Sequence, residues 1–112
     1  MKKYMIFAFR GDPMCFIHVL LNAKDMNEKG IECRIVMEGE AVKLLKGLEE
    51  SGNPLYRKVK EAGLFECICR ACSAKLGFLE YNETTGIPVT GDMAGHPSMS
   101  GYIDDGYSII TM

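Results

Sequence analysis

Hydrophobic residues in this chain fall into short runs separated by amphipathic stretches. Tyr4–Phe9 is continuously apolar and reads as a buried strand. Beyond it, Phe16, Val19, Leu20, Ala23 and Met26 share one helical face, with His18, Asn22, Asp25 and Lys29 on the polar side. The spacing predicts a helix from Pro13 to about Lys29, capped by Asp12 and ended by Gly30. Ile31–Met37 alternates as a second strand, closed by Glu38-Gly39-Glu40. Ala41, Leu44, Leu45 and Leu48 form a helical stripe. Ser51-Gly52-Asn53-Pro54 interrupts it, and Leu55, Val59 and Ala62 carry a short helix that stops at Gly63.

Leu64–Cys69 reads as strand three, and Ala71–Leu76 starts the next helix. Asn82–Gly86 is a loop before a short fourth strand at Ile87–Val89, where Pro88 argues for an edge position or a strand end. Gly91–Gly95 reads as a flexible loop and His96-Pro97 as the opening of a last helix. Gly106 stops that helix before a final strand at Tyr107–Met112. Strands alternating with helical segments predict βαβ units and a mainly parallel five-stranded sheet in a three-layer α/β/α domain spanning residues 1–112. In such folds ligands bind at the carboxyl ends of the strands. That rule gathers Arg10-Gly11-Asp12, Glu38, Cys69-Arg70 and Thr90-Gly91-Asp92 at one edge.

With 112 residues, 47% of them hydrophobic and 25% charged, the chain has the composition of a globular domain with a real core. The net charge of −2 and the lack of a basic run argue against nucleic acid as a partner. No apolar stretch approaches the ~20 residues of a membrane span, so no membrane association is expected. Met1-Lys2-Lys3 superficially resembles the start of a signal peptide. The apolar run after it is short and ends in Arg10-Gly11-Asp12 without a cleavage site, so a cytoplasmic location is expected. Arg10-Gly11-Asp12 also lacks the glycine pattern of a dinucleotide loop, and the sequence assigns no cofactor.

Three of the five cysteines, Cys67, Cys69 and Cys72, fall within six residues at the junction of strand three and its helix. Cys15 and Cys33 sit on apolar segments and read as packing residues. A thiol at a strand end and helix start is placed to become a reactive thiolate, and Arg70 adds a positive charge nearby. Four readings follow. Cys69 is a sulfur-carrying nucleophile; Cys69 and Cys72 form a redox dithiol; Cys67, Cys69, Cys72 and His96 hold a metal; or three small residues simply pack. Cys67 and Cys69 should share one strand face. His96 precedes the last helix and reads as its cap, the alternative being a base for the thiol. Glu38, at a strand end, either tunes the site or binds a partner, the alternative being a turn carboxylate that bonds local backbone N–H groups.

Cys69, Cys72 and Gly77 resemble the C-x-x-[CSA]-x-x-x-x-G signature of the DsrE/DsrF-like sulfur-relay proteins. The likeness extends through the Val36-Met37-Glu38-Gly39-Glu40-Ala41 turn and the closing Gly106-Tyr107-Ser108-Ile109-Ile110-Thr111 strand. It implies a flavodoxin-like fold, a homo-oligomer such as a dimer, trimer or hexamer, and a persulfide carried on Cys69. Cys72 would be a resolving thiol or second acceptor, and Arg70 would stabilise the thiolate. The implied partners are a sulfur donor, such as a cysteine desulfurase or rhodanese-like protein, and a downstream acceptor protein.

Overall fold

The computed structural model describes residues 2–112. Five strands form one all-parallel sheet in the order β4-β3-β2-β1-β5. They are β1 (Lys3–Ala8), β2 (Glu32–Met37), β3 (Phe65–Cys69), β4 (Val89–Thr90) and β5 (Ser108–Thr111). The helices are α1 (Pro13–Glu28), α2 (Leu44–Glu50), α3 (Pro54–Glu61), α4 (Arg70–Leu76), α5 (Leu79–Asn82) and α6 (Met99–Asp104). The three-layer α/β/α architecture, flavodoxin-like in kind, is the one the alternation of strands and helices predicts.

Local chemistry sets most boundaries. The Asp12 carboxylate accepts the Met14 N–H at 2.8 Å, and Pro13 fills the first helical position. Asn53 does the same for α3, accepting the Tyr56 N–H at 2.9 Å ahead of Pro54. The stripe after Glu38 divides into two parts, a 3₁₀ turn over Gly39–Lys43 and then α2. Gly39 sits at φ +49°, where an added Cβ would press on the Phe9 carbonyl oxygen at 3.0 Å. Strand four is Val89–Thr90, starting two residues and ending one residue later than predicted. Pro88 has no N–H for the ladder, and its carbonyl instead accepts the Ile68 N–H at 2.8 Å.

The strands advance in one direction from β1 to β4, and the last connection crosses back over the sheet to β5. Two unequal cores result. The larger joins Ile6, Ile35, Met37 and Ile68 to Val19 and Leu20 of α1, Val42 and Leu45 near α2, and Val59 of α3. Burying each Leu or Ile side chain there stabilises the fold by about 1.5–3 kcal/mol. On the opposite face α6 supplies the covering helix, setting Met99 and Tyr102 over Met5, Phe7, Val36 and Cys67. A bulge in β3 pairs Ile35 with Phe65 and Val36 with Cys67, leaving Glu66 unpaired in the ladder. Its carboxylate meets the Arg34 guanidinium at 2.6 Å.

Candidate functional site

The carboxyl ends of β2 and β3 lie side by side, so Glu38 and Cys69 are brought together as the strand-end rule expects. Cys69 closes β3 and caps α4, and its sulfur accepts the Cys72 N–H at 3.4 Å. One helical turn on, the Cys72 thiol donates to Glu38 Oε1 at 3.3 Å. His96 arrives from the loop after β4. Its Nδ1 lies 3.1 Å from Cys69 Sγ, 3.7 Å from Cys72 Sγ and 3.5 Å from Glu38 Oε1. Ligand atoms of all four residues fall within 4.8 Å of one another.

The backbone around these atoms is tightly tied. The Gly95 carbonyl accepts the Ala71 N–H at 2.8 Å, and Met93 and His96 bridge reciprocally at 2.8 and 2.9 Å. Gly91–Gly95 is therefore a closed turn fastened to α4, where the sequence predicts an open loop. The Ser73 hydroxyl donates to the Cys69 carbonyl at 2.7 Å, and Asn82 Nδ2 donates in turn to Ser73 Oγ at 3.0 Å. Asn82 is fully buried and also bonds the Val42 carbonyl at 2.9 Å, which locks the β3–α4 junction to the 3₁₀ turn.

The thiols differ sharply in access. Cys69 is 0% exposed, whereas Cys72 is half-buried. Burial pushes the Cys69 thiol well above its ordinary value, the Cys72 N–H works against the shift, and the Glu38 carboxylate adds to it. Burial also raises Cys72, partly opposed by its hydrogen bond with Cys69. The expected low-pKa thiolate at the helix start is thus corrected. Desolvation and an adjacent carboxylate outweigh the field of a seven-residue helix.

Other expectations also change. Arg70 turns away from the thiols. Its guanidinium donates to the Val89 carbonyl at 3.0 Å and meets Glu83 at 3.6 Å. His96 does not cap the last helix; Ser98 does, accepting the Ser100 N–H at 3.2 Å. Glu38 does bond local backbone, since Oε1 accepts the Gly39 N–H at 3.3 Å. Cys67 and Cys69 do not share a core. Cys67 packs on the α6 side with its sulfur 3.6 Å from the Tyr102 hydroxyl, while Cys69 joins the α1-side core as the chain turns into α4. Cys33 is a buried packing residue, pushed up to about 11 by desolvation, and Cys15 is half-buried on α1. His18 is exposed, as its polar face predicts.

A groove of about 550 Å³ opens beside the cluster. Phe7, Phe9, Met93 and Met99 give it apolar walls, and Glu38, Cys72 and His96 stand along it. These four apolar residues come from three separate segments. The sequence offers only one sign of them, the apolar Phe9 that ends the predicted strand Tyr4–Phe9 and lies just beyond β1. Arg10 and Asp12 line a separate depression, and Thr90 and Asp92 another. Among the described residues, no helix is long and apolar enough to cross a membrane.

Fold and site together define a small α/β/α domain with a thiol–imidazole–carboxylate cluster at the carboxyl edge of its sheet. The chain belongs to the same family as the uncharacterized protein MJ0733 of Methanocaldococcus jannaschii. The two are 37% identical over 117 residues, covering 97% of this chain and 93% of that protein. An uncharacterized protein of Archaeoglobus fulgidus is 42% identical over 40 residues, 36% of this chain and 66% of its own length. The conserved protein of unknown function BT1422 from Bacteroides thetaiotaomicron shares the fold, with a TM-score of 0.74 at 17% identity over 98% of this chain and 95% of that one. No family model matches the chain.

Proposed function

We propose that this protein is a DsrE-like sulfur carrier in which Cys72 receives sulfane sulfur and Cys69 is the second thiol. The observation that carries this reading is the position of Cys72. Its sulfur stands at the wall of an apolar groove, with a second thiol, an imidazole and a carboxylate within 4.8 Å. The roles of the two cysteines are therefore exchanged relative to the sequence expectation, because Cys69 is fully covered. In the transfer, Cys72 Sγ attacks the outer sulfur of a donor persulfide. A new S–S bond forms on Cys72, the donor S–S bond breaks, and the donor leaves as a thiol. The proton released by Cys72 passes through Glu38 or His96 to that departing thiol, with no net oxidation.

The donor would be a persulfide-bearing protein of the cysteine desulfurase or rhodanese-like kind, and a second protein would accept the sulfur. Homo-oligomeric assembly and a cytoplasmic setting belong to the same proposal. The test is incubation with a low-molecular-weight persulfide followed by intact mass spectrometry. Wild type and Cys67→Ser should gain the mass of one sulfur atom and Cys72→Ser should not. Equal gain by a Cys69→Ser/Cys72→Ser double variant, or none by wild type, would reject the carrier role.

A further inference from the structure

The geometry points to a zinc site formed by Glu38, Cys69, Cys72 and His96. This goes beyond sulfur carriage and does not depend on it. Zinc takes four ligands at tetrahedral corners from thiolate, imidazole and carboxylate donors, with bonds of about 2.0–2.3 Å, so its donor atoms stand about 3.3–3.8 Å apart. Here the distances are 3.1 Å for Cys69–His96, 3.3 Å for Cys72–Glu38, 3.5 Å for His96–Glu38 and 3.7 Å for Cys72–His96. The other two pairs lie within 4.8 Å. Four of the six pairs thus lie at or close to tetrahedral separations, and a common centre for all four atoms needs side-chain adjustments of at most about 1 Å in the remaining two.

Three further observations favour a cation there. Glu38 is 6% exposed, and among the described residues no lysine or arginine forms an ion pair with it. Its cationic neighbour among the described residues is the ionisable His96 imidazole at 3.5 Å; a buried carboxylate without a fixed positive charge beside it is costly, and a divalent ion removes that cost. The four donors come from three separate stretches of chain: the end of β2, the β3–α4 junction, which supplies both thiols, and the loop after β4. They are also held from behind. The Cys72 N–H points at Cys69 Sγ, and the Gly39 N–H points at Glu38 Oε1. Two thiols with one nitrogen and one oxygen match zinc better than magnesium or calcium, which select oxygen alone.

With all four positions taken by side chains, the site would be closed, and the ion would hold the groove-facing thiol out of reaction. The full-length protein, purified without a tag and reduced, is titrated with Co²⁺ alone as a spectroscopic stand-in. The expected result is one equivalent bound, with intense thiolate-to-cobalt absorption and the visible bands of a tetrahedral ion, displaced by one equivalent of Zn²⁺. Cys69→Ser and Cys72→Ser should each lose about half of the thiolate absorption, and the double variant all of it. His96→Ala and Glu38→Gln should weaken zinc binding by about 100-fold or more, since even outer-shell changes cost 10–100-fold. Cys67→Ser should leave both unchanged, and circular dichroism confirms that each variant is folded.

Cobalt spectra that are octahedral, or zinc affinity in folded His96→Ala and Glu38→Gln equal to wild type, would overturn the site. The second result would mean that the two cysteines alone bind metal, as in any flexible dithiol. Persulfide transfer is read by mass on metal-free protein, so the two proposals fail separately.

Discussion

Cys69 Sγ and His96 Nδ1 stand 3.1 Å apart across 27 residues of chain. The contact depends on the turn that carries His96, which is fastened to α4 through the Gly95 carbonyl and the Ala71 N–H. An added Cβ at Gly91 would lie 2.2 Å from the Gly95 carbonyl oxygen, and no side-chain rotation relieves it.

Gly91→Ala should therefore cost about 1–3 kcal/mol in urea unfolding and shift the His96 ring resonances, as a backbone clash does in a packed site. Gly101→Ala is the contrast. It meets nothing within 4 Å on α6 and should be neutral to stabilising by up to about 1 kcal/mol. Equal effects from the two would show that the Gly91 turn does not position the histidine.

Asn82 links α5 to the 3₁₀ turn and to Ser73, and through Ser73 to the Cys69 carbonyl. Asn82→Ala leaves a buried carbonyl and a buried hydroxyl short of a donor. It should lower stability by about 1–3 kcal/mol. It should also raise the labelling rate of Cys69, because the strand–helix junction loosens. Denaturation curves and site-resolved alkylation read the two effects independently.

Native-state alkylation should rank the thiols. Cys72, half-buried at the groove, should label at least about tenfold faster than Cys67 or Cys69, which open only by fluctuation. Cys33 should stay protected as well. Peptide mapping after a short pulse of reagent decides the order, and a Cys69 that labels as fast as Cys72 would contradict its burial.

Glu49 gives the fold an acid-side dependence away from the candidate site. Burial alone would raise its carboxyl, but donors on Lys60 at 2.7 Å, Tyr56 at 2.7 Å and Tyr81 at 3.1 Å win and hold it below the ordinary value of 4.5. A depressed folded-state value means that the ionised carboxylate contributes stability above its unfolded value. That contribution is lost as pH falls through the folded value. Wild type should therefore exceed Glu49→Gln in stability near neutrality, and the gap should close below about pH 4.5. A gap independent of pH would assign the difference to packing.

Much of this architecture is legible in the order of residues. Asp12-Pro13 and Asn53-Pro54 mark helix starts because capping is a local event, and Tyr4–Phe9 marks β1 because buried parallel strands are continuously apolar. Placing Glu38 and Cys69 at strand ends was enough to bring them to one rim. What stayed out of reach depends on closure in space. Nothing near His96 in the chain indicates that the Met93–His96 turn swings it onto the thiols, and a cap of the next helix was the local alternative. Arg70 follows Cys69 directly, yet the side chain of a helix's first residue points outward, toward Val89 and Glu83. The thiol shift is opposite to the one the sequence predicts for a related reason. Helix-start fields are visible in sequence, whereas the depth of burial and a carboxylate from β2 are not.

The strand order has a kinetic side. Tyr4 pairs with Ser108 and Phe7 with Thr111, so the β1–β5 ladder closes a loop of nearly the whole chain, the most distant pairing in the sheet. Loop closure of that span comes late in folding, while β1 pairs with β2 across far fewer residues. Until then the outer edge of Tyr4-Met5-Ile6-Phe7-Ala8 has unpaired backbone groups on an apolar strand, the feature by which sheets recruit one another. The Phe9 amide, which donates to Met112, should gain exchange protection after the Glu38 amide, which donates to Ala8. The four residues of β5 thus act as the seal on the strand most prone to mispair.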